Sequence, residues 1–519
     1  MKLQIFDSTL RDGAQGANIS FSVDDKLKVI QTLDALGIDF IEAGNPFSNP
    51  SEMQFFQRIA GLRLSHAKIV AFGSTRRKGV PAEEDSNLRS LLAANTEYVA
   101  IFGKSHIMHV TDVIKATPEE NLAMIGESVK FLTEHGKKVI FDAEHFFDGY
   151  KTDAAYAMKA LETANAAGAY ALCLCDTNGG IFPDEAYEIT RKVTERFPDT
   201  IVAIHCHNDG GLAVADSIEA VKAGARQVQG TFLGFGERCG NANLSTIICN
   251  LQLKRGYECI PPEKLKEIYQ SAMAIAETAN VAVPENQPYI GMNAFAHKAG
   301  MHADGVLKYS SSFEHVDPES VGNKRKLPLS EISGKSAIYD KLKNYFPSLD
   351  KNGKEMSEIV AALKERSLSG YQYEGAEASF ILLVEKILGK YKSSFDLINY
   401  KVINELPAIE GKVSSAIIKI RVDGTTKISA SDGEGPVHAM DLALRSALSD
   451  FYPEIRKVTL TDFKVRVLDS DKATAAKVRV LITSANGADS WTTVGVSEDI
   501  IEASWTALTD SIDYALMRR

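Results

Sequence analysis

His205 and His207 stand two apart in the run Ile-Val-Ala-Ile-His-Cys-His-Asn-Asp-Gly-Gly (residues 201–211), where an apolar β-branched stretch gives way to polar residues and glycine. Alternate side chains of a strand share a face, so both imidazoles can converge on one cation while Cys206 points the other way. Alone, the pair also reads as two ordinary strand-end histidines. Asp12 adds a carboxylate and Asn241 an amide oxygen. This mixed oxygen and nitrogen set suits a divalent metal with open positions that a substrate can chelate. Without a thiolate cluster a closed structural zinc is disfavoured, and the choice among Mg, Mn, Zn and Fe stays open. Asn241 has a second reading: in Gly-Asn-Ala-Asn (residues 240–243) it can cap the helix that follows.

Other polar residues fit beside such a metal. Arg11, next to Asp12, can set a fixed positive charge over an oxygen that becomes negative when a carbonyl is attacked; its plainer reading is a structural ion pair. Glu144 is a candidate acid or base, or a residue that only orients its neighbours. Thr177 offers a hydroxyl and a backbone amide to a substrate carboxylate, against ordinary turn chemistry. Cys173 and Cys175 share a strand face but read as core packing, and no chemistry is assigned to them. Gly234-Phe-Gly236 lacks the third glycine of a dinucleotide fingerprint and gives no warrant for NAD.

These residues must be brought together by the elements between them. Short β-branched or apolar runs near residues 3–7, 39–43, 68–72, 98–102, 138–142, 169–175, 201–205 and 227–233 alternate with helix-period segments such as 23–36, 122–135, 154–167, 184–196 and 212–223. Ser22 is placed to cap the first helix, Gly37 and Gly136 to end two of them, and Pro183 to open another. Strict alternation favours a parallel sheet, and eight units within roughly 250 residues favour a closed (β/α)8 TIM barrel over an open doubly wound sheet. The polar tips after strands one, two, five, six, seven and eight then share one mouth, the face on which such barrels carry chemistry. The first domain is expected at 1–260, helical linker subdomains at 261–375, and a C-terminal domain at 376–519.

Composition narrows the function classes. A chain of 519 residues with 45% apolar and 24% charged residues folds throughout and exceeds one typical domain. Net charge of -10 argues against nucleic acid and anionic membranes as partners, while a phosphorylated small molecule needs only a few local cations or a helix N-terminus. There is no signal-like apolar core near Met1 and no apolar run approaching about 18 residues, so a cytoplasmic protein is expected. Six cysteines without disulfide or zinc spacing are expected reduced and mostly buried.

Three motifs carry a resemblance: Asp-Ser-Thr-Leu-Arg-Asp-Gly (7–13), His-Cys-His-Asn-Asp-Gly-Gly-Leu-Ala (205–213) and Gly-Phe-Gly-Glu-Arg-Cys-Gly-Asn (234–241). Together they resemble the acyl-CoA-condensing metal enzymes that comprise 2-isopropylmalate, homocitrate and citramalate synthases. That resemblance implies a Claisen-type condensation of acetyl-CoA with a 2-keto acid, followed by thioester hydrolysis. It implies Asp12, His205 and His207 as ligands of a divalent metal (Mg, Mn or Zn), Asn241 as a weaker fourth, Arg11 as stabiliser of negative charge, Thr177 as a holder of the keto acid, and Glu144 in proton transfer. The segment Lys-Ala-Gly-Met-His-Ala-Asp-Gly-Val-Leu-Lys (298–308) resembles the part that activates acetyl-CoA, which makes His302 and Asp304 candidates. A histidine oriented by a carboxylate suits proton abstraction, and a surface loop pair is the alternative. Lying outside the barrel, His302 is expected to reach a mouth by subdomain closure, over its own or a partner subunit's site.

Two positions depart from the pattern. Ser312-Phe313-Glu314 stands where many relatives have Thr-Tyr-Glu, and Ala14 replaces the glutamate of Arg-Asp-Gly-Glu-Gln. With Asp-Ala-Glu-His-Phe-Phe-Asp-Gly-Tyr (142–150), the latter resembles the citramalate branch, whose keto acid is pyruvate and whose product feeds isoleucine biosynthesis. The alternatives are 2-isopropylmalate or another keto acid product, a lyase or aldolase on the same barrel, a two-histidine-one-carboxylate iron oxygenase, and a noncatalytic amino-acid sensor.

The C-terminal third turns β-rich: runs at 380–385, 395–403, 415–422 and 426–430 precede a helix opening at Gly435-Pro436. Runs at 459–468, 475–482 and 490–496 precede a helix from Asp499, which suggests a doubled β-β-β-α unit. It resembles the family's dimerisation and regulatory domain, implying a homodimer and a branched-chain amino acid effector whose carboxylate the helix start at Gly435-Pro436 can receive. A dimer module without a ligand is the plainer reading.

Overall fold

The computed structural model describes residues 1–298, 300–326, 335–409, 412–468, 475–487 and 489–518. Its tertiary contacts divide the chain into one unit of Met1–Phe295 with His315–Arg325, and another of Ala296–Glu314 with Lys326–Arg519.

In the first unit, strands β1 (Gln4–Asp7), β2 (Phe40–Gly44), β3 (Lys68–Ser74), β4 (Tyr98–Lys104), β5 (Lys138–Glu144), β6 (Ala171–Asp176), β7 (Ile201–Cys206) and β8 (Gln227–Gly230) form a closed parallel barrel in sequence order. Closure is made by β8 on β1, with Gln4 opposite Gln227 and Asp7 opposite Gly230. The helices are α1 (Val23–Leu36), α2 (Pro50–Ile59), α3 (Ser86–Ala93), α4 (Pro118–Glu134), α5 (Phe146–Thr152), α6 (Ala154–Ala166), α7 (Pro183–Arg196), α8 (Ala213–Lys222), α9 (Leu244–Arg255) and α10 (Ile268–Thr278). Ser22 closes a capping box with Asp25 at the start of α1, and Gly37, at φ +91°, ends it in the left-handed region that glycine tolerates. Pro183 occupies the first turn of α7, where its missing N–H costs nothing.

The expected TIM barrel is therefore present. Its eighth strand stops at Gly230, earlier than the apolar pattern suggests, because Leu233 (φ +63°) and Gly234 (φ +75°) turn the chain. Side chains alternate across each strand. Phe6, Phe40, Val70, Ala100, Ile140 and Ala203 form one buried cluster, whereas Ile5, Ile41, Val99, Ile204 and Cys206 belong to the layer packed with the helices.

The second unit holds α11 (Gly300–Lys308), α12 (Lys335–Leu342), α13 (Lys354–Leu368) and α14 (Glu377–Ile387). Ala299, within the 298–308 motif, lies outside the described residues. The run 380–385, expected as a strand, is part of α14. Phe-Ile-Leu-Leu-Val has no alternation, and an apolar stretch this short fits a helix buried on several sides equally well; Phe380, Ile381, Leu382 and Val384 are all buried.

Beyond α14 the doubled unit is present. Strands β9 (Asp396–Ile409), β10 (Lys412–Val422) and β11 (Thr425–Gly433) form an antiparallel sheet followed by α15 (Pro436–Leu448). Strands β12 (Thr459–Val467), β13 (Val478–Ala485) and β14 (Ser490–Ser497) form a second, followed by α16 (Ile500–Met517). Asp423 and Gly424, both at positive φ, make the two-residue turn between β10 and β11. Ala416, Ile418 and Ile420 of β10 bury against Ala439, Met440, Ala443 and Leu444 of α15. Among the described residues no helix is long and apolar enough to cross a membrane. All six cysteines are free thiols, and only Cys239 is exposed.

Candidate active site

The inward register of β7 brings both imidazoles into the barrel mouth while Cys206 joins the outer core, as alternation requires. Asp12 arrives from the loop after β1. Its Oδ2 lies 3.2 Å from His205 Nε2 and 3.7 Å from His207 Nε2, and the two Nε2 atoms are 3.4 Å apart. All three side chains are buried.

Asn241 is paired with His207 in an isolated antiparallel bridge, beside the Asn208 N–H that donates to Gly240 O. Its side-chain oxygen and nitrogen are both buried and without a hydrogen-bond partner. Gly236 makes room for it, since a Cβ there would meet the Asn241 amide at 3.1 Å. The capping alternative belongs to another residue: Asn243 Oδ1 accepts from Ser245 N–H at the start of α9. Buried polar atoms rarely go unpaired, so an Asn241 with both ends orphaned, beside two imidazoles and a carboxylate, fits a divalent cation's ligand set.

Electrostatics suits Asp12 and His207 to that role, whereas at His205 burial is outweighed by the Asp12 hydrogen bond and charge, which raise its pKa. Burial would raise the Asp12 pKa, but Arg11 and then His205 outweigh it and hold the carboxyl well below the usual range. Burial, reinforced by His205, lowers His207 to about 4, so its ring is neutral and offers a lone pair at neutral pH. Arg11 is desolvated, yet Glu42 and Asp12 keep it firmly charged. Its Nε donates to Glu42 Oε2 at 2.7 Å, Nη1 lies 3.4 Å from Asp12 Oδ1, and the guanidinium sits 3.8 Å over the Phe72 ring. Ser8 Oγ donates to the same Glu42 oxygen.

A cavity of about 230 Å³ opens over these groups, lined by Arg11, Asp12, Glu144, Thr177, His205 and His207 among others. Thr177 Oγ1 accepts the His145 N–H at 2.9 Å, which leaves its own O–H to donate. Glu144 is ion-paired with Lys104 Nζ. Asp142, also in the lining, has its pKa raised to about 7 by burial and then by Glu42. Arg238 binds Asp209 through both oxygens, at 2.8 and 3.0 Å, and reaches the Thr177 carbonyl at 2.8 Å, tying together the loops after β6, β7 and β8.

His302 and Asp304 belong to the other unit, on the short helix α11 and not on a loop. The structure does not pair them. His302 stacks on Phe313 at 4.2 Å between ring centroids, and Asp304 bonds Lys308 Nζ at 2.6 Å one turn along. Residues two apart on a helix face apart. In the same unit His297 Nε2 lies 3.3 Å from Glu314 Oε1, a partly buried pair absent from the sequence reading.

Glu42, Lys104 and Arg238 also carried no assigned role. A signal for the first two was available: each is a charged residue in or ending an otherwise apolar strand, and such residues are buried only when paired.

The HMGL-like family model matches residues 2–275, a homocitrate synthase post-HMGL domain-like model residues 289–369, and a LeuA allosteric (dimerisation) domain model residues 374–516. An (R)-citramalate synthase of Aquifex aeolicus is 49% identical, covering 100% of this chain and 98% of its own length. One from Synechocystis is 45% identical over 99% of this chain and 96% of its own. A 2-isopropylmalate synthase of Pyrococcus furiosus is 32% identical over 99% of both chains. With this end-to-end similarity and the matched domain models, the chain belongs to the HMGL-like family, in the group that contains the (R)-citramalate and 2-isopropylmalate synthases.

Proposed function

We propose that the chain condenses acetyl-CoA with pyruvate and hydrolyses the resulting thioester, giving citramalate and CoA. The observation that carries this reading is the convergence of Asp12, His205 and His207 in a cavity of a chain 49% identical, end to end, to an (R)-citramalate synthase. Asp12, His205, His207 and Asn241 would hold a divalent metal, which when bound would supply Lewis-acid polarisation of the keto acid.

The chain's own residues divide the remaining work. Arg11, fixed by Glu42 and Phe72, supplies a permanent positive charge where the carbonyl oxygen turns negative. The Thr177 hydroxyl donates to the keto acid's carboxylate and thereby orients it. Glu144, held by Lys104, takes part in proton transfer at the cavity wall. His302 removes a methyl proton of acetyl-CoA, while Asp304, bonded to Lys308 one turn along the helix, is not its hydrogen-bond partner. The Phe313 ring holds the His302 imidazole by stacking, so the missing phenolic hydroxyl leaves the aromatic contact in place.

The C-terminal β-β-β-α pair makes a homodimer and receives a branched-chain amino acid as effector, with the amino acid's carboxylate at the start of α15. The match to a LeuA allosteric (dimerisation) domain over residues 374–516 supports this reading.

The test follows CoA release from acetyl-CoA with Mg2+ or Mn2+ while pyruvate, 2-ketoisovalerate, 2-oxoglutarate and glyoxylate are offered separately. Pyruvate is expected to give the highest kcat/KM. Faster turnover of 2-ketoisovalerate would overturn the substrate assignment, and no CoA release with any keto acid would overturn the reaction.

A further inference from the structure

Cys173 and Cys175 sit on the inward face of β6. Cys173 is in register with Asp142 of β5, and Cys175 with His205 of β7. The two sulfur atoms and a carboxylate oxygen of Asp142 all lie within 4.8 Å of one another. Cys173 is fully buried, whereas Asp142 and Cys175 line the cavity, so the cluster has one side open to the mouth. Asp142 is loosely held within the protein: Oδ1 accepts from Gln229 Nε2 at 3.4 Å.

Packing in an apolar interior accounts for thiols such as Cys206, Cys249 and Cys259. It does not account for a carboxyl group placed with two thiols beside an open cavity. Sulfur and carboxylate ligands of one tetrahedral zinc stand about 3.5–4 Å apart, which this cluster reaches with shifts of about 1 Å or less. Thiolates favour soft divalent ions, while Mg2+ and Mn2+ prefer oxygen.

We propose that Asp142, Cys173 and Cys175 form a second metal site, selective for thiophilic divalent ions such as zinc and cadmium, and that an ion held there obstructs the neighbouring cavity. Two metal–sulfur bonds form as two S–H bonds are lost, and two protons leave to solvent; no oxidant or reductant takes part. The site uses none of Asp12, His205 and His207, but Cys175 neighbours His205 in register and lines the same cavity, so a soft ion held there would crowd that set. The obstruction rests on the function proposed above, whereas the binding does not.

The test uses the full-length protein, stripped of metal, supplied with saturating Mg2+ and titrated with Cd2+, read by the ultraviolet sulfur-to-cadmium charge-transfer band. Expected is a band that saturates at one Cd2+ per chain, survives Cys239→Ala, which removes the exposed thiol, and is lost in Cys175→Ala. Asp142→Asn should weaken Cd2+ binding at least about tenfold. Circular dichroism checks that each variant folds, and Cys173→Val serves where Cys175→Ala does not. In turnover assays Cys175→Ala should tolerate at least about tenfold more Cd2+ than the parent chain. A wild-type chain that binds Cd2+ but never releases CoA would defeat the proposed reaction and leave this site standing. Absence of the band in the wild type, its persistence in Cys175→Ala, or its loss in Cys239→Ala would overturn the site.

Discussion

Replacing Arg238 by glutamine should separate stability from function, because its bonds lie at the surface of the mouth while the groups they position line the cavity. The side chain is 44% exposed and its partner Asp209 26% exposed, so the bidentate pair itself contributes about 0.5–1 kcal/mol to folding. The bond to the Thr177 carbonyl adds about 1 kcal/mol. Arg238→Gln should therefore cost no more than about 2 kcal/mol of stability, read as a modest shift in the urea midpoint.

The functional loss should be larger. Without the guanidinium the Thr177 loop keeps the Gly210 N–H bond to the Gly179 carbonyl but loses the side-chain brace to the Arg238 loop, and a displacement of about 1 Å at a positioning residue costs on the order of 100-fold in rate, or about 2.7 kcal/mol of transition-state binding. Steady-state CoA release at varied pyruvate should show kcat/KM down about 30–100-fold, carried mainly by KM because Thr177 orients the keto acid. Asp209→Asn should give a similar loss, and the double variant little more than either single change, since one brace is removed in all three. Wild-type kcat/KM in a folded Arg238→Gln chain would refute this reasoning, as would fully additive losses in the double variant.

Two further outcomes follow from the same geometry. Asp216 is 1% exposed and its Oδ1 has no hydrogen-bond partner; burial, then Asp176 and Glu185, raise its pKa to about 7. The folded chain thus holds a proton that the unfolded chain releases near pH 4, and the stability this brings is complete below pH 4 and lost as pH rises through 7. Asp216→Asn should then raise stability by about 4 kcal/mol at pH 8 and leave it unchanged at pH 4, measured by denaturant unfolding; equal effects at both pH values would contradict the assignment. His302→Ala should retain Mn2+ binding while lowering kcat by about 10²–10⁴-fold, and loss of the metal in this variant would remove its assignment as a separate base.

Much of the barrel is legible in the sequence because hydrophobic period changes from strand to helix at places marked by Ser22, Gly37 and Pro183. α14 is not legible that way, since Phe-Ile-Leu-Leu-Val buries nearly every side chain and erases the period that would distinguish helix from strand. The meeting of Asp12 with His205 and His207 follows from topology: the polar tips of parallel barrel strands share one mouth. The supports of that site are harder to foresee. Glu42 reaches Arg11, Lys104 reaches Glu144 and Arg238 reaches Thr177 from separate elements, so each pairing depends on register and rotamer. Local pattern offers Asn241 as the cap of α9, whereas the structure gives that place to Asn243, two residues on. At His302 the motif suggests a partner two residues on, but helical geometry gives Asp304 to Lys308.

The central claim is that three distant loops gather one cation that grips a 2-keto acid, and Mn2+ binding read by electron paramagnetic resonance tests it most directly. Expected is one Mn2+ per wild-type chain, a signal altered by pyruvate, and loss of both binding and turnover in His205→Ala and Asp12→Asn. Full Mn2+ binding retained in those two variants, or a wild-type signal indifferent to pyruvate, would contradict it.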